Sequence, residues 1–156
     1  MERYFELIPK EKGNYVLLFF LENEVQLPVG ALDKSKFPTG QYTYVGSALG
    51  PGGIQSRVRH HLKPSPKPHW HIDYLKPYVH WVGVGWKVTE KRLECTWAQK
   101  LTAMKGADLP VFKFGASDCK QGCFAHLVRI PAKLPIVLKT LKIKDHIDFM
   151  YNKTNL

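Results

Sequence analysis

Two tyrosines lie at positions where packing alone does not require a tyrosine. Tyr15 follows Gly13-Asn14 at the start of an apolar run, and Tyr44 lies late in a tyrosine-rich segment, directly before Val45-Gly46. A glycine next to such a segment permits the close approach of another backbone or of a ligand. If the two segments pair as strands, both phenols project near one sheet face. The alternative is that each is only a half-buried strand tyrosine.

A basic pair lies on a segment with helical spacing. Ile54, Val58 and Leu62 form an apolar stripe at i, i+4 and i+8. Arg57 and His61 lie one turn apart on the flank of that stripe. An arginine at the border of a core can donate two hydrogen bonds to phosphate oxygens and stabilise negative charge in a transition state. The alternative is a surface cation beside a solvated histidine.

Glu94 is a carboxylate at the edge of another apolar stripe. The pattern predicts a helix from Glu90 to Met104 with Thr89 as its N-cap. Its stripe consists of Leu93, Trp97, Leu101 and Met104. A carboxylate beside such a stripe should be paired or metal-bound. Magnesium commonly takes one or two carboxylates, keeps several waters and binds substrate phosphates. Glu94 is therefore a ligand for a divalent cation or the partner of Arg92, Lys100 or a neighbouring lysine.

The segment His69-Trp70-His71-Ile72-Asp73-Tyr74 is dense in polar and aromatic groups. His69 and Asp73 are spaced i, i+4, as metal ligands or a hydrogen-bonded pair would be. The histidines are also candidates for phosphate contacts at a helix start. The alternative is a capped short helix that packs Trp70. The candidate nucleic-acid-binding residues are Arg59, His60, Lys63, Lys67, His69 and His71.

The chain has three cysteines, Cys95, Cys119 and Cys123, and this odd number indicates reduced thiols. Cys119, Cys123 and His126 lie close together in sequence, but a closed zinc site needs four ligands. The sequence does not say whether His69, His71 or Asp118 would be the fourth. We therefore do not expect zinc, and expect a thiol pair with a packing histidine. A zinc-stapled interaction domain is the alternative.

The composition favours a partner that is a polyanion. A length of 156 residues suits one domain, and the net charge of +10 favours nucleic acid or an anionic membrane surface. The alternative is a lysine-rich surface that only aids solubility.

The longest apolar run, Tyr15 to Leu21, is far shorter than the roughly 20 residues of a membrane span, and the first residues do not resemble a signal peptide. We expect a cytoplasmic protein that does not bind membranes.

The order of the elements predicts an α+β fold rather than a doubly wound parallel sheet. The predicted strands are Asn14 to Leu21, Val25 to Val29, Gln41 to Ser47, Trp81 to Val88 and Phe124 to Ile130. Pro28 makes the second an edge strand. The predicted helices are Ile54 to Leu62, His69 to Tyr74, Glu90 to Met104, and one or two basic helices over Leu134 to Tyr151. We expect one domain over residues 1–156, with a core at about 13–130 and a basic helical extension at about 131–156.

These motifs, taken in order, resemble the GIY-YIG nuclease family. Gly13-Asn14-Tyr15 stands in place of the first triplet, and Tyr44-Val45-Gly46 matches the second. Arg57-Val58 follows inside a helix, and Leu93 to Gln99 looks like the helix that carries the metal-binding glutamate of the family. The longer blocks Tyr44 to Gly50, His69 to Leu75 and Phe114 to Cys119 are similar to an uncharacterised branch that is sometimes fused to endonuclease III-type glycosylases.

Three features depart from the pattern of that family, one of which is that the segment Asp118 to His126 replaces the region where many members carry an asparagine. Asn14 replaces the usual isoleucine, at a position that is expected only to pack. The stretch between Tyr15 and Tyr44 is longer than in typical members, so Leu21 to Gly40 is expected to hold an extra hairpin or loop.

The resemblance implies a small three-stranded antiparallel sheet flanked by helices, with additional strands and C-terminal helices. It also implies one magnesium or manganese ion held by Glu94. Tyr15 would be the general base or would relay a proton from the attacking water, and Tyr44 would position that water or the phosphate. Arg57 would stabilise the developing charge, and His61 would support these groups or contact phosphate. An unperturbed phenol titrates at about pH 10, so a tyrosine base needs the positive charge of an arginine and a metal nearby.

The resulting hypothesis is a metal-dependent DNA endonuclease that hydrolyses phosphodiester bonds and is linked to DNA repair, with a repair enzyme as a partner. We expect it to select DNA by structure, as a branched, damaged or single-stranded substrate, because no element for reading bases is evident; RNA stays open. The competing hypothesis is a non-catalytic nucleic-acid-binding module on the same fold. Both predict salt-sensitive binding, and only the first predicts cut strands in magnesium.

Overall fold

The computed structural model describes residues 2–116 and 119–149. This part of the chain contains seven strands and five helices. The strands are β1 (Gly13–Leu21), β2 (Val25–Val29), β3 (Leu32–Phe37), β4 (Gly40–Ala48), β5 (His80–Val88), β6 (Leu127–Arg129) and β7 (Asp145–Asp148). The helices are α1 (Glu2–Phe5), α2 (Gly53–Leu62), α3 (His71–Leu75), α4 (Glu94–Thr102) and α5 (Leu134–Leu141), with a 3₁₀ turn at Lys76–Tyr78. None of these helices is long and apolar enough to cross a membrane.

Five strands form one antiparallel sheet in the order β6-β4-β1-β5-β7, and β2 and β3 form a separate two-stranded sheet. The predicted α+β class is confirmed. β1 is central, as its apolar residues on both faces predicted. The sheet has five strands rather than three, because β6 adds to the outer edge of β4 and β7 adds to the outer edge of β5.

Alternate residues of β1 face two separate hydrophobic clusters. Tyr15 and Leu17 face the cluster that includes α2 and the β2–β3 hairpin, whereas Val16 and Leu18 face the cluster that includes α4 and α5. The two-residue period of a strand produces this division. Any functional side chain at Tyr15 therefore lies on the α2 side of the sheet.

The stretch between β1 and β4 holds the extra hairpin that its length predicted. β2 has the predicted bounds, and Pro28 lies in a sheet of only two strands, which agrees with its assignment to an edge. The partner strand β3 was not predicted, because its sequence, Leu-Asp-Lys-Ser-Lys-Phe, is mostly polar and charged.

The C-terminal segment is helical over α5 and then becomes a strand, as far as residue 148. Lys142 adopts a left-handed conformation with φ 56° at the end of this helix, and the following residues pair with β5 as strand β7. The predicted helices over Leu134 to Tyr151 are therefore wrong over residues 142–148, because backbone pairing to β5 prevails over the local pattern. Residues 150–156 lie outside the described part. Smaller differences are the start of α3 at His71 and the shorter extent of β6.

Candidate active site

A cavity of about 630 Å³ is lined by residues from β1, β4, α2 and α4. Four of the predicted catalytic residues line it: Tyr15, Tyr44, Arg57 and Glu94. The fifth, His61, is fully buried behind the Tyr15 phenol. The fold thus brings together residues from four separate elements.

Tyr15 and Tyr44 lie on the same face of adjacent strands. Tyr15 pairs with Gly46, and Tyr44 pairs with Leu17, in the β1–β4 ladder. This register confirms that both phenols project from one sheet face. A Cβ atom at Gly46 would overlap the Tyr15 hydroxyl group. Glycine is required there so that the Tyr15 ring can lie across β4.

A chain of buried polar groups leads from Tyr15 into the protein. Tyr15 Oη lies 2.7 Å from His61 Nε2, and His61 Nδ1 lies 3.7 Å from Asp73 Oδ1. The second distance is too long for a hydrogen bond. His61 Nδ1 has no hydrogen-bond partner among the described residues, whereas Asp73 Oδ1 forms an ion pair with Lys76 Nζ at 3.3 Å. A carboxylate can only accept, so we assign the proton to Nδ1, facing Asp73. His61 Nε2 then accepts a hydrogen bond from the Tyr15 hydroxyl.

Burial sets the charge states of this chain of groups. It lowers the pKa of His61 to about 4, although Asp73 acts in the opposite direction, so the imidazole is neutral at pH 7. Burial also raises the pKa of Tyr15 above its ordinary value, although Arg57 acts to lower it. Tyr15 therefore keeps its proton in the resting protein. A role as a base requires an acceptor for that proton and additional positive charge nearby.

Asp73 organises the segment that precedes α3. Its Oδ2 accepts hydrogen bonds from the backbone N–H groups of His69 at 2.8 Å and Trp70 at 2.9 Å, and it lies 3.1 Å from His60 Nε2. Burial raises the pKa of Asp73, but the interactions of its carboxylate with the His61 and His60 side chains and with the backbone N–H groups of Trp70 and His69 outweigh it and hold the pKa below its usual range. His69 and Asp73 thus form the predicted hydrogen-bonded pair, but the donor is the backbone N–H of His69, and the contact caps the start of α3.

Arg57 is held at the cavity by two contacts. Its Nη1 donates a hydrogen bond to the Ser47 carbonyl oxygen at 3.2 Å, and its Cζ lies 4.2 Å from the centre of the Trp70 ring. A guanidinium over an indole face is stabilised by cation–π attraction. Arg57 is therefore a fixed, half-buried group rather than a mobile surface cation.

Asn14 fixes the loop that leads to Glu94. Its Nδ2 donates to the Lys91 carbonyl oxygen at 2.7 Å, and its Oδ1 accepts from the Leu93 N–H at 3.0 Å. A helix starting at Glu90 would need those same backbone groups, which is why α4 begins four residues later than predicted. The expectation that residue 14 only packs is wrong, because Asn14 ties β1 to the residues before the cavity carboxylate.

Glu94 is the first residue of α4 and borders the cavity. Its side chain is 20% exposed, and its Oε1 lies 3.6 Å from Arg92 Nη1. This distance is longer than a hydrogen bond. The two side chains nevertheless form an ion pair, so the structure contains the salt bridge to Arg92 that was the alternative prediction for Glu94.

We expect Asn14→Leu to lower the free energy of unfolding by about 2–4 kcal/mol. Leucine has nearly the same size, but the substitution removes the partner of the Lys91 carbonyl, the Leu93 N–H and the Ser47 hydroxyl. A buried polar group without a partner costs about 1–3 kcal/mol. Urea denaturation measures the loss. Asn23→Leu, in an exposed turn, is the control and should change stability by less than about 0.5 kcal/mol. Wild-type stability of Asn14→Leu would contradict the role assigned to this amide.

The residues predicted to bind nucleic acid lie outside the cavity lining. Arg59 Cζ lies 5.1 Å from the centre of the Phe5 ring, and Lys63 forms an ion pair with Glu2. His60 contacts Asp73, and His71 Nδ1 accepts a hydrogen bond from the Gly115 N–H at 2.7 Å. The remaining two, Lys67 and His69, are exposed.

The cavity has other cations in its lining. Arg92 and Lys120 border it together with Arg57. Neither was predicted as a phosphate contact, because Arg92 was considered only as a partner of Glu94 in the predicted helix and Lys120 lies in an irregular segment. No local pattern marks either position.

The fold adds Cys95 to the predicted pair of thiols. Cys119 Sγ and Cys123 Sγ lie 3.3 Å apart, and Cys123 Sγ lies 3.2 Å from His126 Nε2. The sulfur atoms of all three cysteines lie within 4.8 Å of one another. The upstream histidines considered as a fourth ligand make other contacts, and Asp118 lies outside the described residues.

The sequence model of one protein family matches most of the chain. This family is described as Domain of unknown function DUF123, and the match covers residues 14–154. No curated protein and no solved structure matches the chain. The matched region contains every candidate catalytic residue and all three cysteines. The chain belongs to the family Domain of unknown function DUF123.

Proposed function

We propose that this protein is a metal-dependent endonuclease of the GIY-YIG type that hydrolyses phosphodiester bonds in DNA. The observation that carries the proposal is that Tyr15, Tyr44, Arg57 and Glu94 line one cavity. The resemblance to GIY-YIG nucleases assigned these four residues to proton transfer, positioning, charge stabilisation and metal binding. Their convergence in space is what those roles require.

Glu94 fits a site for one magnesium or manganese ion. Its carboxylate borders the cavity and forms an ion pair with Arg92 at 3.6 Å, without a hydrogen bond. Magnesium is often held by one or two protein carboxylates while it keeps several waters, so a single carboxylate at an open cavity suits it. When bound, such an ion lowers the pKa of water and stabilises negative charge on phosphate oxygens.

Tyr15 would take a proton from the attacking water while it gives its own proton to His61. The 2.7 Å contact between Tyr15 Oη and His61 Nε2 provides the path, and the neutral imidazole can accept. The carboxylate of Asp73 would stabilise the imidazolium that forms. No isolated tyrosinate is needed, which matters because burial raises the pKa of Tyr15.

Arg57 and Tyr44 would act on the phosphate itself. Arg57 is held in place by Trp70 and Ser47 before a substrate binds, so little reorganisation is needed when charge develops. Tyr44 would donate a hydrogen bond to the phosphate or the attacking water. Burial raises the pKa of Tyr44, so the phenol keeps the proton that it donates.

The substrate would be DNA chosen by structure: branched, damaged or single-stranded. The net charge of +10 and the lining by Arg57, Arg92 and Lys120 favour a polyanion. Contacts from such side chains to phosphates position a nucleic acid without reading its bases. The link to DNA repair, and to a repair enzyme as partner, follows from the resemblance.

Cleavage of labelled plasmid and branched DNA tests this proposal. We expect nicked or cut strands with magnesium or manganese, no product with a chelator, and DNA binding that weakens as salt rises. The same assay with labelled RNA shows whether the protein cleaves DNA, RNA or both. Salt-dependent binding without cleavage of either nucleic acid would reject the enzyme and favour the non-catalytic binding module.

A further inference from the structure

Three thiols converge beside the cavity. Cys95 lies in the first turn of α4, whereas Cys119 and Cys123 lie in the segment before β6. Their sulfur atoms nevertheless all lie within 4.8 Å of one another. We propose that Cys95, Cys119 and Cys123 bind one zinc ion as thiolates, with Nε2 of His126 as the fourth ligand. This inference is independent of the proposed nuclease activity.

The distances among the three sulfurs are close to those of a tetrahedral zinc site. Zinc–sulfur bonds are about 2.3 Å long, so sulfurs around one zinc ion lie about 3.8 Å apart. The sulfurs of Cys119 and Cys123 are 3.3 Å apart, and Cys123 Sγ is 3.2 Å from His126 Nε2. His126 Nε2 is not among the atoms that all lie within 4.8 Å of one another, so side-chain shifts must bring it closer to the other two sulfurs before it completes the tetrahedron. Three cysteines with one histidine is a common ligand set for structural zinc.

Neither a disulfide nor simple burial accounts for all three thiols. A disulfide between Cys119 and Cys123 would use two sulfurs and give no reason for the third, Cys95, to lie against them. Burial of apolar thiols explains Cys95, which is 2% exposed, but not the other two, which are only half-buried. Soft thiolate ligands select zinc rather than magnesium, so this ion would differ from the one proposed for Glu94.

The segment that carries Cys119 and Cys123 has little regular structure to hold it. Between the end of α4 at Thr102 and the start of β6 at Leu127, the described residues form no helix or strand beyond one isolated bridge. Such long irregular segments are uncommon in compact domains. A zinc ion would tie this segment to the first turn of α4, directly beside Glu94, and would fix one wall of the cavity.

Metal analysis of the purified chain, kept reduced and without added metal, tests the site. We expect about one zinc ion per chain, and loss of that zinc in Cys95→Ser and Cys119→Ser. Glu94→Gln is the matched control and should retain zinc, because its carboxylate is not one of the four ligands. Zinc in a chain that does not cut DNA would therefore support this site while the nuclease proposal fails.

Cobalt substitution keeps the test valid if the cysteine variants do not fold. After a chelator removes zinc, titration of the wild-type chain with cobalt should give thiolate-to-cobalt charge-transfer bands and tetrahedral ligand-field bands that saturate at about one equivalent. His126→Gln should bind cobalt more weakly and keep the charge-transfer bands. A zinc-free wild-type chain with three reactive thiols and no such bands would overturn the proposal. A disulfide found by mass spectrometry in freshly purified protein would also overturn it.

Discussion

Glu94→Gln is expected to lower the rate of DNA cleavage by about a thousandfold or more at saturating magnesium. Glutamine preserves the size of the side chain at the start of α4 but removes the negative charge that would hold the metal. A metal ion contributes several kcal/mol of transition-state stabilisation, and each 1.36 kcal/mol or so is a factor of ten in rate. Initial cleavage rates of branched DNA, measured across a range of magnesium concentrations, give the effect.

Glu90→Gln is the matched control for this charge change. Glu90 is exposed and lies four residues earlier, outside the cavity lining, so the wild-type rate is expected. Both variants should bind DNA in chelator at least as well as the wild type, because each loses one negative charge. Equal cleavage by Glu94→Gln and the wild type would show that the metal is not held by this carboxylate.

The four candidate catalytic residues that line the cavity could be predicted because each lies in a short local pattern. Tyr15 and Tyr44 each lie in a strand two residues from a glycine, and Arg57 borders the apolar stripe of a helix. Glu94 interrupts the apolar edge of the next helix. Such patterns depend on neighbours within about ten residues. The convergence of these residues depends on the register of β1 with β4 and on the packing of α2, which no local pattern determines.

The structural role of Asn14 could not be predicted, because its partners are remote in the chain. Lys91 is 77 residues away from Asn14, and a polar side chain within a strand leaves no periodic signal that identifies its partner. The same reason applies to Cys95, which meets the other two thiols only after α4 and the following segment fold together. Strand β7 was missed because its stability comes from pairing with β5 rather than from its own composition.

The net charge of the chain indicated the class of ligand but not the residues that face it. A count of cations does not separate those that line the cavity from those that contact other residues outside it. Arg59 and His60 lie against Phe5 and Asp73, whereas Arg92 and Lys120 line the cavity. Only the folded arrangement of α2, and of the segments on either side of α4, makes this distinction.

Tyr15→Phe is expected to lower the rate of cleavage by about 10²–10⁴-fold, the range of a lost general acid–base group. Phenylalanine keeps the ring across Gly46 but removes the hydroxyl that connects the cavity to His61. DNA binding should be unchanged, since no charge is altered. The substitution also leaves His61 Nε2 without its partner, so the free energy of unfolding should fall by about 1–3 kcal/mol. Cleavage rates, binding curves and urea denaturation separate these effects.

Tyr42→Phe is the control for Tyr15→Phe, because it removes a tyrosine hydroxyl that is not proposed to act in catalysis. Tyr42 belongs to the same hydrophobic cluster as Tyr15, and its hydroxyl donates to the Pro38 carbonyl oxygen at 2.5 Å, away from the cavity lining. Its loss removes one hydrogen bond and should leave cleavage at the wild-type rate. If both variants cut DNA as fast as the wild type, the proton of the attacking water does not pass through Tyr15. The buried path to His61 and Asp73 would then serve only to hold α2 and α3 against the sheet.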